Sequence, residues 1–113
     1  MLASIIIPVY RNANLVEYCL KRYTESISDD IEVIVVDDAS KDGTLERIFR
    51  IKGIRIISHP ENCGNTVAYN SGAKAAKGQI LIFSDSDILA QTSTVSQLIE
   101  TCLNRPEAGA VGK

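Results

Sequence analysis

Two acidic clusters carry the residue types and spacing that could do chemistry. Asp37-Asp38 follows the apolar run Ile31 to Val36, and Asp85-Ser86-Asp87 follows the run Ile80 to Phe83. Carboxylates set side by side repel, so each cluster needs a cation or hydrogen-bonding partners. A divalent ion bound to a diphosphate would supply such a cation. Asp85 and Asp87 stand two positions apart, which places them on one side of an extended segment. In a tight turn both can reach one ion. Taken singly, each cluster also reads as an ordinary solvated turn, because Asp is common at strand ends. Their joint placement on one sheet edge raises the chemical reading.

That placement follows from the order of elements. Ile5-Ile6-Ile7, Ile31 to Val36, Ile54 to Ile57 and Ile80 to Phe83 are short β-branched runs, the pattern of parallel strands buried on both faces. The first is expected to stop at Pro8. Between them lie helical patterns. Leu15, Tyr18, Cys19 and Tyr23 form one apolar stripe. Leu45, Ile48 and Phe49 form a second, with Ser40 or Asp42 as its cap. Thr66 to Lys77 is rich in small residues, suits close packing on a sheet, and is expected to end at Gly78. Val95, Leu98, Ile99 and Cys102 form a last stripe, with Thr94 and Gln97 as a capping box. The alternation predicts an α/β fold, a doubly wound and mostly parallel sheet with helices on both faces. Such sheets bind ligands outside the carboxyl ends of their strands. Ala110-Val111 reads as the start of a fifth strand, so the sheet is expected to be truncated.

Composition narrows the function classes. The chain has 113 residues, 45% of them hydrophobic, enough for one domain with a core. A net charge of -2 and scattered Lys and Arg give no case for a nucleic-acid partner. Cys19, Cys63 and Cys102 lie far apart and read as free thiols. His59 is the single histidine and reads as a polar residue at a strand end. No GxSxG elbow accompanies it, which disfavours a serine hydrolase. Neither GxGxxG nor GxxxxGK[ST] is present, which disfavours dehydrogenases and P-loop enzymes. No signal peptide and no bilayer-length apolar stretch is read, so the expected location is cytoplasmic, with the full-length protein at the cytoplasmic membrane face as the variant.

Four motifs in order give a family resemblance along nearly the whole chain. Ile6-Ile7-Pro8-Val9-Tyr10, then Val35 through Asp37-Asp38-Ala39-Ser40-Lys41-Asp42-Gly43-Thr44, then Glu61-Asn62-Cys63-Gly64-Asn65 through Asn70-Ser71-Gly72, then Phe83 to Asp87 resemble the family-two glycosyltransferases of the GT-A fold. The matched patterns are the opening strand and turn, VDDxSxDGT, NxGxxxARNxG and DxD. The resemblance implies transfer of a sugar from a nucleoside-diphosphate donor, most often a UDP-sugar, to an acceptor hydroxyl with inversion.

It also implies roles. Pro8, Val9 and Tyr10 would line the base pocket. Asp38 would accept from the base or ribose, with Asp37 shaping the turn. Asn70 would hold the site or touch the ligand. Asp85 and Ser86 would contact the donor, and Asp85 with Asp87 would hold Mg²⁺ or Mn²⁺. The acceptor would be a saccharide or lipid-linked sugar. Tyr69 stands where the family usually has Arg. Residues 1–113 are expected to be the donor-binding half, with the general base beyond residue 113, and the piece inactive alone. A sheet so shortened is expected to self-associate. The other readings are a nucleotidyltransferase, which usually shows a Gly-rich loop after the first strand, a phosphoacceptor signalling module, and a non-catalytic nucleotide-binding domain.

Overall fold

The structure, a computed structural model, describes residues 1–26 and 28–84. Asp85, Ser86, Asp87, the helix expected around Val95 to Cys102 and the strand expected at Ala110-Val111 lie outside the described residues. The elements are β1 (Ala3–Val9), α1 (Ala13–Ser26), β2 (Ile31–Asp37), α2 (Thr44–Ile48), β3 (Ile54–Ser58), α3 (Asn65–Ala75) and β4 (Ile80–Phe83). The four strands form one parallel sheet in the order β3-β2-β1-β4.

Every residue of β1 is buried, as its continuous apolar run requires of a strand covered on both faces. Alternation then sorts the side chains. Ala3, Ile5, Ile7, Val9, Val33 and Val35 pack with Val16, Leu20 and Tyr23 of α1 and Ile48 of α2. Ile34 and Val36 turn to the other face and pack with Ala68 of α3. Each fully buried Ile or Val contributes on the order of 1.5–3 kcal/mol. Because α1 and α2 share one face and α3 takes the other, the winding reverses between β1 and β4. That reversal is where a doubly wound sheet opens its ligand crevice.

Several local expectations are corrected. β1 runs through Pro8 to Val9. Ile80 N–H donates to Leu2 O and Ser84 N–H to Ile6 O, so even-numbered positions of β1 face β4. Pro8 therefore aims its missing N–H past the last β1–β4 pair, Ile6 with Phe83, and breaks no bond of that ladder. In α1 the buried stripe is Val16, Cys19, Leu20 and Tyr23, while Tyr18 is exposed. Just past the end of α2, Phe49 is exposed and Ile51 is buried in its stead. The chain tightens there, with Arg50 and Ile51 N–H donating to Arg47 and Ile48 carbonyls three residues back. The helix start is held by Asp42, whose Oδ1 accepts from both Thr44 N–H and Thr44 Oγ–H, with Gly43 left-handed between them.

α3 ends at Ala75, before Gly78. Gly78 serves a different need: a Cβ there would lie 2.5 Å from the Ala3 carbonyl carbon and from Ser4 N. The loop presses this close because it is bonded to the sheet. Gly78 N–H donates to Ser4 Oγ, and Lys77 N–H to Glu32 Oε2. Glu32 also accepts from Ser4 Oγ–H (2.5 Å) and from Arg55 (2.7 Å). Burial pushes the Glu32 carboxyl up, but the bonds from Ser4, Lys77 N–H and Arg55 outweigh it and bring its pKa down to about 2.

Candidate functional site

The candidate site lies at the opposite end of the sheet, where β1 and β2 finish. Asp37 and Asp38 are adjacent, so they point to opposite faces. Both are buried, at 2% exposure each. Each is met by its own set of hydrogen-bond donors.

Asp37 closes its own turn. Its Oδ1 accepts Ser40 Oγ–H at 2.5 Å and its Oδ2 accepts Ser40 N–H at 3.3 Å. Ser40 Oγ in turn accepts Arg11 N–H at 2.7 Å. One buried hydroxyl thus ties the loop after β2 to the loop after β1. Arg11, Asn12, Ala39 and Lys41 all have positive φ, and they are the only such non-glycine residues among the described residues. Each conformation costs roughly 1 kcal/mol or more, and strain of this kind gathers where a site needs a fixed shape.

Asp38 organises the loop before α3. Its Oδ1 accepts from His59 Nδ1 (2.8 Å) and Cys63 N–H (2.9 Å), and its Oδ2 from Gly64 N–H (2.8 Å). Asn62 Nδ2 donates to the Asp38 carbonyl at 3.2 Å. Gly64 takes φ 89° with open space around it, so its requirement is one of backbone conformation. Burial raises the Asp38 carboxyl pKa, but the donors His59, Cys63 N–H and Gly64 N–H lower it more, and the net shift is downward. A carboxylate offers about four acceptor positions, so one remains on Oδ2.

The other expected residues are placed as follows. Pro8 and Val9 are buried, and Val9 belongs to the core on the α1 face. Tyr10 is exposed, with the Arg11 guanidinium 5.0 Å from its ring centroid. Asn70 is exposed on α3. Tyr69 meets Phe83, the last residue of β4, edge to face at 5.1 Å. Tyr23 OH and Ser84 Oγ share a 2.5 Å hydrogen bond just beyond that strand.

Sequence reasoning missed His59. Its Nδ1 faces Asp38 and its Nε2 faces Ser71 Oγ of α3, both at 2.8 Å. The partners stand 21 and 12 residues away, so no local pattern announces them. Asp38, His59 and Cys63 could also meet one metal ion, since their ligand atoms lie within 4.8 Å of one another. Hydrogen bonds already join Asp38 and His59, and Cys63 Sγ donates to Glu61 O.

The sequence model of glycosyl transferase family 2 matches residues 4–113. The chain belongs to glycosyl transferase family 2. Among family members, glycosyltransferase AglE of Haloferax volcanii is 38% identical over 90 residues, 74% of this chain and 30% of its own length. The undecaprenyl-phosphate 4-deoxy-4-formamido-L-arabinose transferase of Aeromonas hydrophila is 30% identical over 110 residues, 90% of this chain and 34% of its own. The mannosyltransferase PcManGT of Pyrobaculum calidifontis, solved with GDP-Man and Mn²⁺, superposes with a TM-score of 0.82 at 28% identity, over 88% of this chain and 32% of that one. This family 2 chain thus spans about a third of the length of these proteins, and the expected GT-A architecture is the one it adopts. No helix among its described residues is long and apolar enough to cross a membrane.

Proposed function

We propose that residues 1–113 form the nucleotide-sugar-binding half of an inverting, metal-dependent glycosyltransferase whose donor is a UDP-sugar. The observation that carries this reading is Asp38. It is a buried carboxylate, held ionised by three donors at the end of β2, with about one acceptor position left. An ionised carboxylate can only accept, so it fits a base that presents an N–H. The imide of uracil does so, and so does guanine. The GDP-Man complex of the mannosyltransferase favours guanine as the second reading.

Tyr10 stands exposed at the end of β1 and would border the base with Pro8 and Val9. Asp37 keeps the β1 and β2 loops in fixed relation through Ser40 and Arg11. Asn70 would lie along the same pocket. Asp85 and Ser86 would meet the ribose or donor sugar, and Asp85 with Asp87 would hold Mg²⁺ or Mn²⁺. Carboxylate oxygens are the hard donors these ions take. When bound, such an ion offsets the charge that develops on the departing nucleoside diphosphate. The acceptor would be a saccharide or a lipid-linked sugar, its hydroxyl activated by a carboxylate base beyond residue 113. We place the full-length protein in the cytoplasm, at the membrane face if its acceptor is lipid-linked.

The test is calorimetric titration of the full-length protein with UDP and with GDP, each with and without Mn²⁺. Metal-dependent binding of one of them, lost in Asp87→Ala, is the expected result. Binding that ignores Mn²⁺ and Asp87→Ala would remove metal from the reading. No binding of either nucleotide would overturn it.

A further inference from the structure

From Asp38 a part-buried polar chain runs through two residues, His59 and Ser71, to which the donor-site roles above assign nothing. Asp38, His59 and Ser71 are joined in line, carboxylate to imidazole to hydroxyl, with both links at 2.8 Å. The His59 side chain is 11% exposed and that of Asp38 3%. The three residues come from three places: the residue after β2, the residue after β3, and the middle of α3. His59 N–H is itself anchored to Asp37 O at 2.9 Å, so the imidazole hangs from the sheet.

The arrangement resembles a serine-hydrolase triad in its bonding order, but not in its setting. Ser71 lies inside α3, where the helix uses its own backbone N–H groups. N–H groups spent on the helix offer no oxyanion hole, which such chemistry requires. The chain of bonds therefore points to positioning. An ionised Asp38 accepts only, so His59 Nδ1 must carry the proton, and Nε2 faces a hydroxyl that can serve either protonation state of the ring. Held at Nε2 by α3 and at its backbone by β2, the ring has one orientation in which Nδ1 can meet Oδ1.

We propose that His59 is a positioning residue for the donor nucleotide: braced by Ser71, it fixes the Asp38 carboxylate so that its remaining Oδ2 position faces the base. This rests on the donor-site reading of Asp38 given above. His59 would touch no substrate atom. It would act as outer partners of ligating groups do, by removing the orientations in which the carboxylate cannot bind.

The test measures the dissociation constants of UDP and GDP, with Mn²⁺, for the full-length protein and the variants His59→Ala, His59→Asn and Ser71→Ala. Thermal melting is recorded for each. Asn places its Nδ2 close to where Nδ1 stands, so it keeps the bond to Asp38 and loses only the brace. Expected are a loss of about ten- to a hundredfold in His59→Ala, the scale typical of such outer partners, and a smaller loss, within about threefold, in His59→Asn and in Ser71→Ala, each of which loses only the brace. Nucleotide binding unchanged in His59→Ala would overturn the proposal and leave the donor-site reading standing. A loss that follows the melting temperature and is not rescued by Asn would show a structural role only, and would also overturn it. A wild-type protein that binds neither nucleotide would overturn the donor-site reading and this inference with it.

Discussion

Tyr69 of α3 and Phe83 of β4 meet edge to face, ring centroids 5.1 Å apart and planes at 83°. The motif resemblance leads one to expect Arg at position 69; the contact made there is an aromatic one. Phe83 lies two residues before Asp85, and the contact thus supports the strand end that leads to the expected metal ligands. We expect a double-mutant cycle of Tyr69→Ala and Phe83→Ala to give a coupling of about 0.5–1.5 kcal/mol. Denaturant unfolding of the two single variants and the double variant measures it. Strictly additive losses would mean that the rings do not support each other.

The small residues of α3 make a sharper prediction. A Cβ at Gly72 would fall inside the van der Waals envelope of Ile6. Ile6 is wholly buried and has little room to yield. Gly72→Ala is expected to cost about 1–3 kcal/mol, the range for an overpacked core. Gly78→Ala should cost more, because its obstacle is the backbone of Ala3 and Ser4. Urea midpoints for the two variants provide the check, and a smaller loss at Gly78 would contradict this ranking.

Stability toward acid should depend on Glu32. Its folded pKa is about 2, against an ordinary 4.5. A depressed value means that the unfolded chain takes up its proton first as pH falls. The contribution is therefore complete above about pH 4.5 and drains away as pH falls toward 2. Glu32→Gln should destabilise the fold at neutral pH by about 1–3 kcal/mol, since an amide cannot satisfy three donors at once. The gap between the two proteins should narrow between pH 4.5 and 2. A constant gap across that window would rule out the linkage.

Ser40 provides a test of the loop geometry. Its hydroxyl donates to Asp37 and accepts from Arg11 N–H, and its exposure is 1%. Ser40→Ala removes both bonds and leaves two groups unmet, at a cost of about 1–3 kcal/mol. Amide exchange at Arg11 should quicken in this variant. Protection unchanged at Arg11 would show that its N–H does not depend on Ser40.

The strands were legible because parallel strands covered on both faces are written as uninterrupted Val and Ile. Helix faces were legible only to within a residue or two. Tyr18 and Phe49 fit a 3.6-residue period and yet point outward. Helix α1 is rotated by about one position toward Val16 and Leu20, and α2 is too short to keep its period. Pro8 looked like a stop because the rule against proline in a strand ignores which neighbour its nitrogen faces. Gly78 looked like a helix cap, but its reason is a close approach to β1. At the candidate site, Asp38 was legible from its position after β2. His59 was not, because its partners are assembled by the fold from distant segments. The roles assigned to Asp85, Ser86 and Asp87 lie outside the described residues.

The bond between Ser4 and Glu32 also bears on how the two central strands find each other. Ser4 is paired with Glu32, and the pairs that follow, Ile5 with Val33 through Ile7 with Val35, are nearly interchangeable in shape and polarity. Such runs could slide along each other by two residues and still present apolar side chains to the same faces. A slide would strand Glu32 opposite an isoleucine or beyond the end of β1, with its charge unmet in the interior. The same pair that lowers the acid limit of the fold thus acts as an alignment mark. A variant with Ser4→Val and Glu32→Val together would leave the Lys77 and Gly78 N–H groups without acceptors and would also lose the certainty of a single strand pairing.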